Sequence, residues 1–273
     1  MDDFITFIGG GNMARSLIGG LIADGCPAAK LRVVEPDPAQ REALQRNFAI
    51  QTLTDHHEAL QGCRILILAI KPQIMREVAQ ELAKDLPADL LIISVAAGVR
   101  IADLDRWLGG GQAIVRGMPN TPALVQSGAT GLYANPAVND TQRSQAESIL
   151  RAVGLTRWCA DEQQLDAVTA LSGSGPAYFF LLMEAMEAAG KSLGLDPESA
   201  RLLTLQTAFG AAKMALESQD PPAVLRERVT SPGGTTEQAL KVFMESDYQA
   251  LVQRAMSAAC ERAAELAKQL GAD

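Results

Sequence analysis

The order of apolar and amphipathic stretches predicts an α/β chain, with a doubly wound sheet of parallel strands over residues 1–160 and an all-α domain over residues 161–273. Three observations predict it. Short Ile, Leu and Val runs alternate with amphipathic stretches in the first part, β-branched clusters nearly vanish from Asp161 onward, and a glycine-rich turn follows the first apolar run directly.

The candidate strands are Phe4–Ile8 and residues 31–35, 65–70, 90–95 and 113–118. Their unbroken aliphatic content suits strands covered on both faces. Weaker strand signals at 129–133 and 155–158 flank a helix-like stretch near 140–152 and extend the sheet to about residue 160. Beyond it, breaks at 172–176, 194–197, 220–222 and 231–234 separate several helices rich in Ala, Leu, Met, Glu and Gln. The helix after Pro176 is apolar nearly all round, as in Tyr178-Phe179-Phe180-Leu181-Leu182-Met183. A small helical domain has little interior to hide such a helix, so its burial against a second subunit, and hence a homodimer, is expected.

A chain of 273 residues is long enough for two cores. Its 24 Lys and Arg stand against 32 Asp and Glu, a net charge of −8 that is the wrong sign for a nucleic-acid backbone or an anionic membrane surface. Cys26, Cys63, Cys159 and Cys260 lie far apart, and only His56 and His57 could join them at a metal, so free thiols and no metal site are expected. Glu184 and Glu187 interrupt the most apolar run before it could span a bilayer, and the acidic Met1-Asp2-Asp3-Phe4 start carries no basic leader, which points to the cytoplasm.

The first strand runs into Gly9-Gly10-Gly11-Asn12-Met13-Ala14, a Gly-x-Gly-x-x-Ala pattern opening a helix, as in a Rossmann-like dinucleotide site. Gly9 serves the tight turn, Gly11 lets a pyrophosphate approach, Ala14 allows close packing, and the helix start holds the phosphates. Strand two ends at Glu35, where a carboxylate accepts from a ribose 2′-hydroxyl and repels a 2′-phosphate, favouring NADH. Arg32 and Arg41 are close enough in sequence to receive a phosphate, so NADPH stays open.

Other strand ends meet the same edge. Ala69-Ile70-Lys71-Pro72 places a cation there, Ser94-Val95-Ala96-Ala97-Gly98 leaves room for a flat ring, and Arg116-Gly117-Met118-Pro119-Asn120-Thr121-Pro122 forms a rigid polar turn. In the helical part, Ser172-Gly173-Ser174-Gly175-Pro176-Ala177 and Thr230-Ser231-Pro232-Gly233-Gly234-Thr235-Thr236-Glu237-Gln238 read as two helix starts, the second with a capping box from Thr235 to Gln238. Two open helix N-termini suit a small carboxylate.

Together these phrases resemble the pyrroline-5-carboxylate reductase family over essentially the whole chain, most specifically at residues 229–236. The resemblance implies hydride transfer from NADPH or NADH to the ring imine of 1-pyrroline-5-carboxylate, giving L-proline. It implies that Ala69, Ile70, Lys71, Pro72, Ala96, Ala97 and Asn120 meet the cofactor with the glycine loop, and that Ser231, Gly233, Gly234, Thr235 and Thr236 hold the substrate. Thr236 would face the ring nitrogen, with the carboxylate on the backbone N–H groups of Gly233, Gly234 and Thr235. It further implies dimers through the helical domains, often assembled into decamers, and in many members a preference for NADPH.

Two other readings fit less. β-Hydroxyacid dehydrogenases share the outline but need a lysine four residues beyond the glycine-rich turn, where this chain has Phe179. A nonenzymatic nicotinamide sensor would have no reason to keep Lys71, Ser231 and Thr236 together.

Overall fold

The computed structural model describes residues 3–272; Met1 and Asp2 of the acidic start, and Asp273, lie outside them. The apolar runs form strands joined by helices in the order β1 (Phe4–Ile8), α1 (Asn12–Ala23), β2 (Leu31–Val34), α2 (Pro38–Phe48), β3 (Gln51–Leu53), α3 (His56–Leu60) and β4 (Cys63–Leu68). There follow α4 (Met75–Leu82), β5 (Leu91–Ser94), α5 (Ile101–Trp107), β6 (Ala113–Met118), β7 (Gly128–Ala134), α6 (Asp140–Arg151) and β8 (Gly154–Trp158). They make one sheet, ordered β3-β2-β1-β4-β5-β6-β7-β8. The chain builds outward from β1 to β3, then crosses to β4, so the order reverses beside β1 and opens a crevice at the carboxyl ends of β1 and β4.

Both faces of the sheet are covered, which is why its strands read as unbroken apolar runs. Phe7, Val33, Ile67, Ile93 and Val115 pack with Leu17 and Ile18 of α1 and Ile149 and Leu150 of α6. Ile8, Leu66, Leu68 and Ile92 pack on the other side with Met75 of α4 and Leu104 of α5.

The structure differs from the sequence expectation in three places. Strand β3 carries no apolar run, because only Leu53 of its three residues is buried at this sheet edge. Strand β7 runs antiparallel to β6, where a parallel strand was expected. A 3₁₀ turn over Thr121–Val125, ended by Gln126 at φ 55°, sends the chain back along β6, and β8 then pairs with β7 in parallel. The third difference is at 172–176, where the expected break narrows to a single bend at Ser174. Helix α7 (Gln164–Val168) passes through a π-helical turn, Thr169–Gly173, into α8 (Gly175–Ser192), with the Ser174 N–H donating to Thr169 O at 2.8 Å.

Helices α9 (Pro197–Glu217), α10 (Pro222–Arg228), α11 (Thr235–Glu245) and α12 (Tyr248–Gly271) complete the chain, and the other expected breaks fall between them. Asp196 caps α9 by accepting from the Glu198 and Ser199 N–H groups at 3.1 and 3.0 Å.

The chain divides into two compact units, one running through Ser174 and resuming at Ala259, the other Gly175–Ala258. Residues just past 160 belong to the first unit because they pack and pair within it. Leu165 and Asp166 are buried, and a Cβ on Gly131 of β7 would touch Leu165 and Val168 at 3.1 and 2.8 Å. In the second unit, Ala200 and Thr204 are the buried side chains among the described residues, and Phe179, Phe180 and Leu181 stand 63, 62 and 67% exposed in the single chain.

Candidate active site

The glycine loop is built for close approach. Gly9 adopts φ 94°, and a Cβ there would sit 2.7 Å from Ala69 O and 2.8 Å from Ile70 Cγ2, so the turn and its fit against the end of β4 both require glycine. At Gly10 a Cβ would meet Leu44 at 2.6 Å. Gly11 is different: it is the N-cap of α1, no side chain caps the helix, and nothing lies within 4 Å of its Cβ position. The first N–H groups of α1, beginning at Asn12 and Met13, have no intrahelical acceptor and face that open space, while Ala14 is fully buried under the helix. An anion such as a dinucleotide pyrophosphate fits this cradle.

Glu35 sits just past β2, only 7% exposed. Its carboxylate accepts from the Gly10 N–H at 2.8 Å and from the Asp37 N–H at 3.0 Å, tying the glycine loop to the turn where a ribose would lie. Arg41 donates to the carbonyls of Glu35 and Pro36 at 2.7 and 2.8 Å, so its guanidinium does belong to this turn. Asp37 accepts from the Ala39 N–H, and that bond holds its carboxyl below the ordinary carboxylate value. Arg32 does not reach the site. It donates to Gln61 O at 2.8 Å and lies over the Phe4 ring, because it stands near the amino end of β2.

The remaining cofactor candidates lie past the carboxyl ends of β4, β5 and β6. Lys71 caps the 3₁₀ turn Pro72–Ile74, is exposed, and has no carboxylate in ion-pair range among the described residues. Ala96 is buried and Ala97 exposed, with Gly98 at φ 77° closing the turn. Asn120 is occupied internally: its Oδ1 accepts from the Ala129 N–H at 2.9 Å and its Nδ2 donates to Ser172 O at 3.0 Å. These two bonds fix the turn after β6.

In the second unit, the loop before α11 differs in detail from the sequence expectation. Gly234, not Thr235, is the N-cap, and the capping box with Gln238 does not form. Glu237 reaches back instead, accepting from the Gly233 N–H at 2.8 Å, and the Gly234 N–H donates to Ser231 O at 2.9 Å. Two of the three N–H groups expected to hold a carboxylate are thus occupied. The open donors are those of Thr235 and Thr236 in the first turn of the helix, and the hydroxyls of Ser231, Thr235 and Thr236 make no hydrogen bond within the described chain. Gly233, at φ 72°, makes the turn that exposes them.

A charged cluster escaped the sequence reading. Arg116 of β6, 2% exposed, pairs with Glu162 at 3.0 Å, while Arg100 pairs with Asp166. Burial pushes Arg116 below its ordinary value, and Glu162 opposes that shift. The four cysteines are free, and no cluster able to hold a metal is found among the described residues.

Residues 162–266 match a family model described as pyrroline-5-carboxylate reductase dimerisation, and residues 4–98 match one described as coenzyme F420-dependent NADP oxidoreductase. With the glycine cradle at the sheet's crevice, these define a dinucleotide-dependent oxidoreductase followed by a helical region. Pyrroline-5-carboxylate reductase of Pseudomonas aeruginosa is 55% identical over 267 residues, 98% of each chain, and that of Escherichia coli is 38% identical over 269 residues, covering 98% of this chain and all of the other. A solved structure of a pyrroline-5-carboxylate reductase from Coxiella burnetii superposes with a TM-score of 0.94 at 45% identity, covering 98% of this chain and 100% of that one. The Plasmodium falciparum pyrroline carboxylate reductase, solved with NADP bound, gives 0.85 at 30% identity, covering 97 and 98%. The chain belongs to the pyrroline-5-carboxylate reductase family.

Proposed function

We infer that this chain reduces 1-pyrroline-5-carboxylate to L-proline, the last step of proline biosynthesis, using a reduced nicotinamide dinucleotide. The observation that carries the reading is whole-length likeness to reductases of this name, 98% of both chains for the Pseudomonas aeruginosa relative, in a chain whose signature loop stands open. The bound dinucleotide supplies the hydride. What the protein's own residues supply is binding and orientation, since a protonated ring imine is already electrophilic.

In this reading Gly9, Gly10, Gly11, Asn12 and Met13 hold the pyrophosphate, with Ala69, Ile70, Lys71, Pro72, Ala96 and Ala97 along the rest of the dinucleotide. Lys71 presents an unpaired positive charge to the anionic reactants, and Asn120 acts by fixing its turn. The substrate carboxylate takes the free Thr235 and Thr236 N–H groups, supported by the Ser231 hydroxyl, while Gly233 and Gly234 shape the loop. The Thr236 hydroxyl accepts from the protonated ring nitrogen and stays with the product amine.

At the ribose edge, Glu35 and Asp37 face one guanidinium, Arg41, leaving an excess of negative charge against a 2′-phosphate. NADH is the preferred donor and NADPH is accepted. The exposed aromatic face of α8 closes against a second copy, making a homodimer that can assemble further into a decamer, and the protein works in the cytoplasm. Among the described residues no helix is long and apolar enough to cross a membrane. Turnover of pyrroline-5-carboxylate with NADH and with NADPH, followed at the nicotinamide absorbance, tests the function: oxidation of either cofactor with formation of proline is expected, and none with either cofactor rejects the reading.

A further inference from the structure

The turn 95–100 joins β5 to α5 and carries Ala96 and Ala97. Its entry is fixed by the sheet, where Ser94 stands opposite Arg116 of β6. Its exit is fixed by Glu162, whose Oε1 accepts from the Ile101 N–H, the first of α5, at 2.9 Å. The same oxygen accepts from Arg116 Nη1 at 3.0 Å. Arg100, the last residue of the turn, donates to the Glu162 carbonyl at 3.4 Å and pairs with Asp166, itself buried. One carboxylate therefore ties together the strand beneath the turn and the helix that leaves it. The cluster is electrically balanced, two guanidiniums against two carboxylates, which is the condition for keeping Arg116 at 2% exposure.

We propose that Glu162, through Arg116 and the start of α5, is a positioning residue that holds the 95–100 turn in the shape needed to seat the nicotinamide ring. The proposal rests on the reductase reading above. The carboxylate bonds of Glu162 run to Ile101 and Arg116. Glu162 acts at the two ends of the turn, on the Ile101 N–H and on Arg116 beside Ser94, and a small displacement of the turn between them misaligns donor and acceptor while leaving the glycine cradle alone. Asp166 plays a secondary part by holding Arg100 in place.

Glu162→Gln tests this, because glutamine keeps an acceptor for Ile101 and removes the charge that balances Arg116. Hydrogen–deuterium exchange of the free protein should show faster exchange across residues 95–101, with the glycine-loop segment unchanged. With 4-deuterated NADH, kcat should fall on the order of ten- to a hundredfold while the isotope effect on kcat rises, since misaligned hydride transfer becomes rate-limiting. NADH affinity, measured by fluorescence, should stay near the wild-type value. A merely structural role would lower thermal stability without altering the isotope effect. A folded Glu162→Gln protein with wild-type exchange at 95–101 and a wild-type isotope effect overturns the proposal. If that variant does not fold, Asp166→Asn decides on the same two readouts, with smaller shifts expected. Wild-type turnover, measured in parallel, separates this outcome from failure of the reductase reading itself.

Discussion

The two compact units satisfy the same rule of burial by different means. In the first, two apolar layers lie against opposite faces of the sheet, and residues such as Phe7, Leu17, Ile67 and Ile92 lose all contact with solvent within one chain. In the second, Phe179, Phe180, Leu181 and Phe209 remain more than three-fifths exposed. An apolar surface of that extent on helices of good propensity is what the proposed second copy would cover. In that reading one chain carries a self-contained first unit and a helical unit that is finished by association.

The strongest way to break that comparison is Phe180→Asp. Burying an uncompensated carboxylate where an aromatic ring packs should cost about 3–5 kcal/mol of association, and wild-type thermal stability should rise with protein concentration. Light scattering with calorimetry checks both. A fully active, stable monomer would show that the helical unit needs no partner. The same experiment leaves the first unit intact, so dye binding should appear without loss of the sheet's circular-dichroism signal.

The next largest effect is expected inside the first unit. Gly9→Val places a branched side chain at φ 94°, 2.7 Å from the Ala69 carbonyl. The left-handed backbone alone costs roughly 1–2 kcal/mol, and relieving the clash moves the loop proposed to hold the pyrophosphate. NADH affinity should fall by more than about a hundredfold, or about 2.7 kcal/mol, in equilibrium titration. Unchanged affinity would remove the glycine cradle as the cofactor site.

Much of this contrast is legible in the sequence, because covered strands and a self-associating helix both leave plain compositional marks. The Ile and Leu runs locate β1, β4 and β5, and the Tyr178-to-Met183 run announces a face that one chain does not bury. What escaped depends on geometry that composition does not carry. The direction of β7 is set by a 3₁₀ turn and one left-handed glutamine, and a π-turn narrows the Ser172-to-Pro176 break to one bend at Ser174. The Glu162 cluster joins residues 46 and 66 positions apart, so its members read one at a time as ordinary surface charges. At the substrate loop the sequence locates the open turn, but which N–H groups stay free depends on Glu237 folding back onto Gly233.

Thr236→Val sharpens the comparison from the second unit. If the Thr236 hydroxyl accepts from the charged imine as proposed, removing it should cost roughly 1.5–3 kcal/mol, about ten- to a hundredfold in kcat/KM. NADH affinity should be unchanged, since the glycine cradle belongs to the first unit. Unchanged kcat/KM rejects the role, and a parallel loss of cofactor binding would assign the loop to the nicotinamide.

The smallest effect is expected at Glu35, where two functions overlap in one carboxylate. Its oxygens accept from the Gly10 and Asp37 N–H groups, and in the proposed site its charge would oppose a 2′-phosphate. Glu35→Gln retains an acceptor for one of those N–H groups and removes the charge. Loosening the brace weakens both cofactors alike, so absolute constants do not isolate electrostatics, whereas the ratio of kcat/KM for NADPH to that for NADH does. Removing one unit charge a few ångströms from a phosphate in a wet site is worth about 1 kcal/mol, roughly a fivefold rise in that ratio. The rise should shrink as salt is added, because screening weakens a charge effect and leaves a change of shape untouched. A ratio that does not move, or one that moves equally at all ionic strengths, would transfer the discrimination from Glu35 to the Arg41 side of the turn.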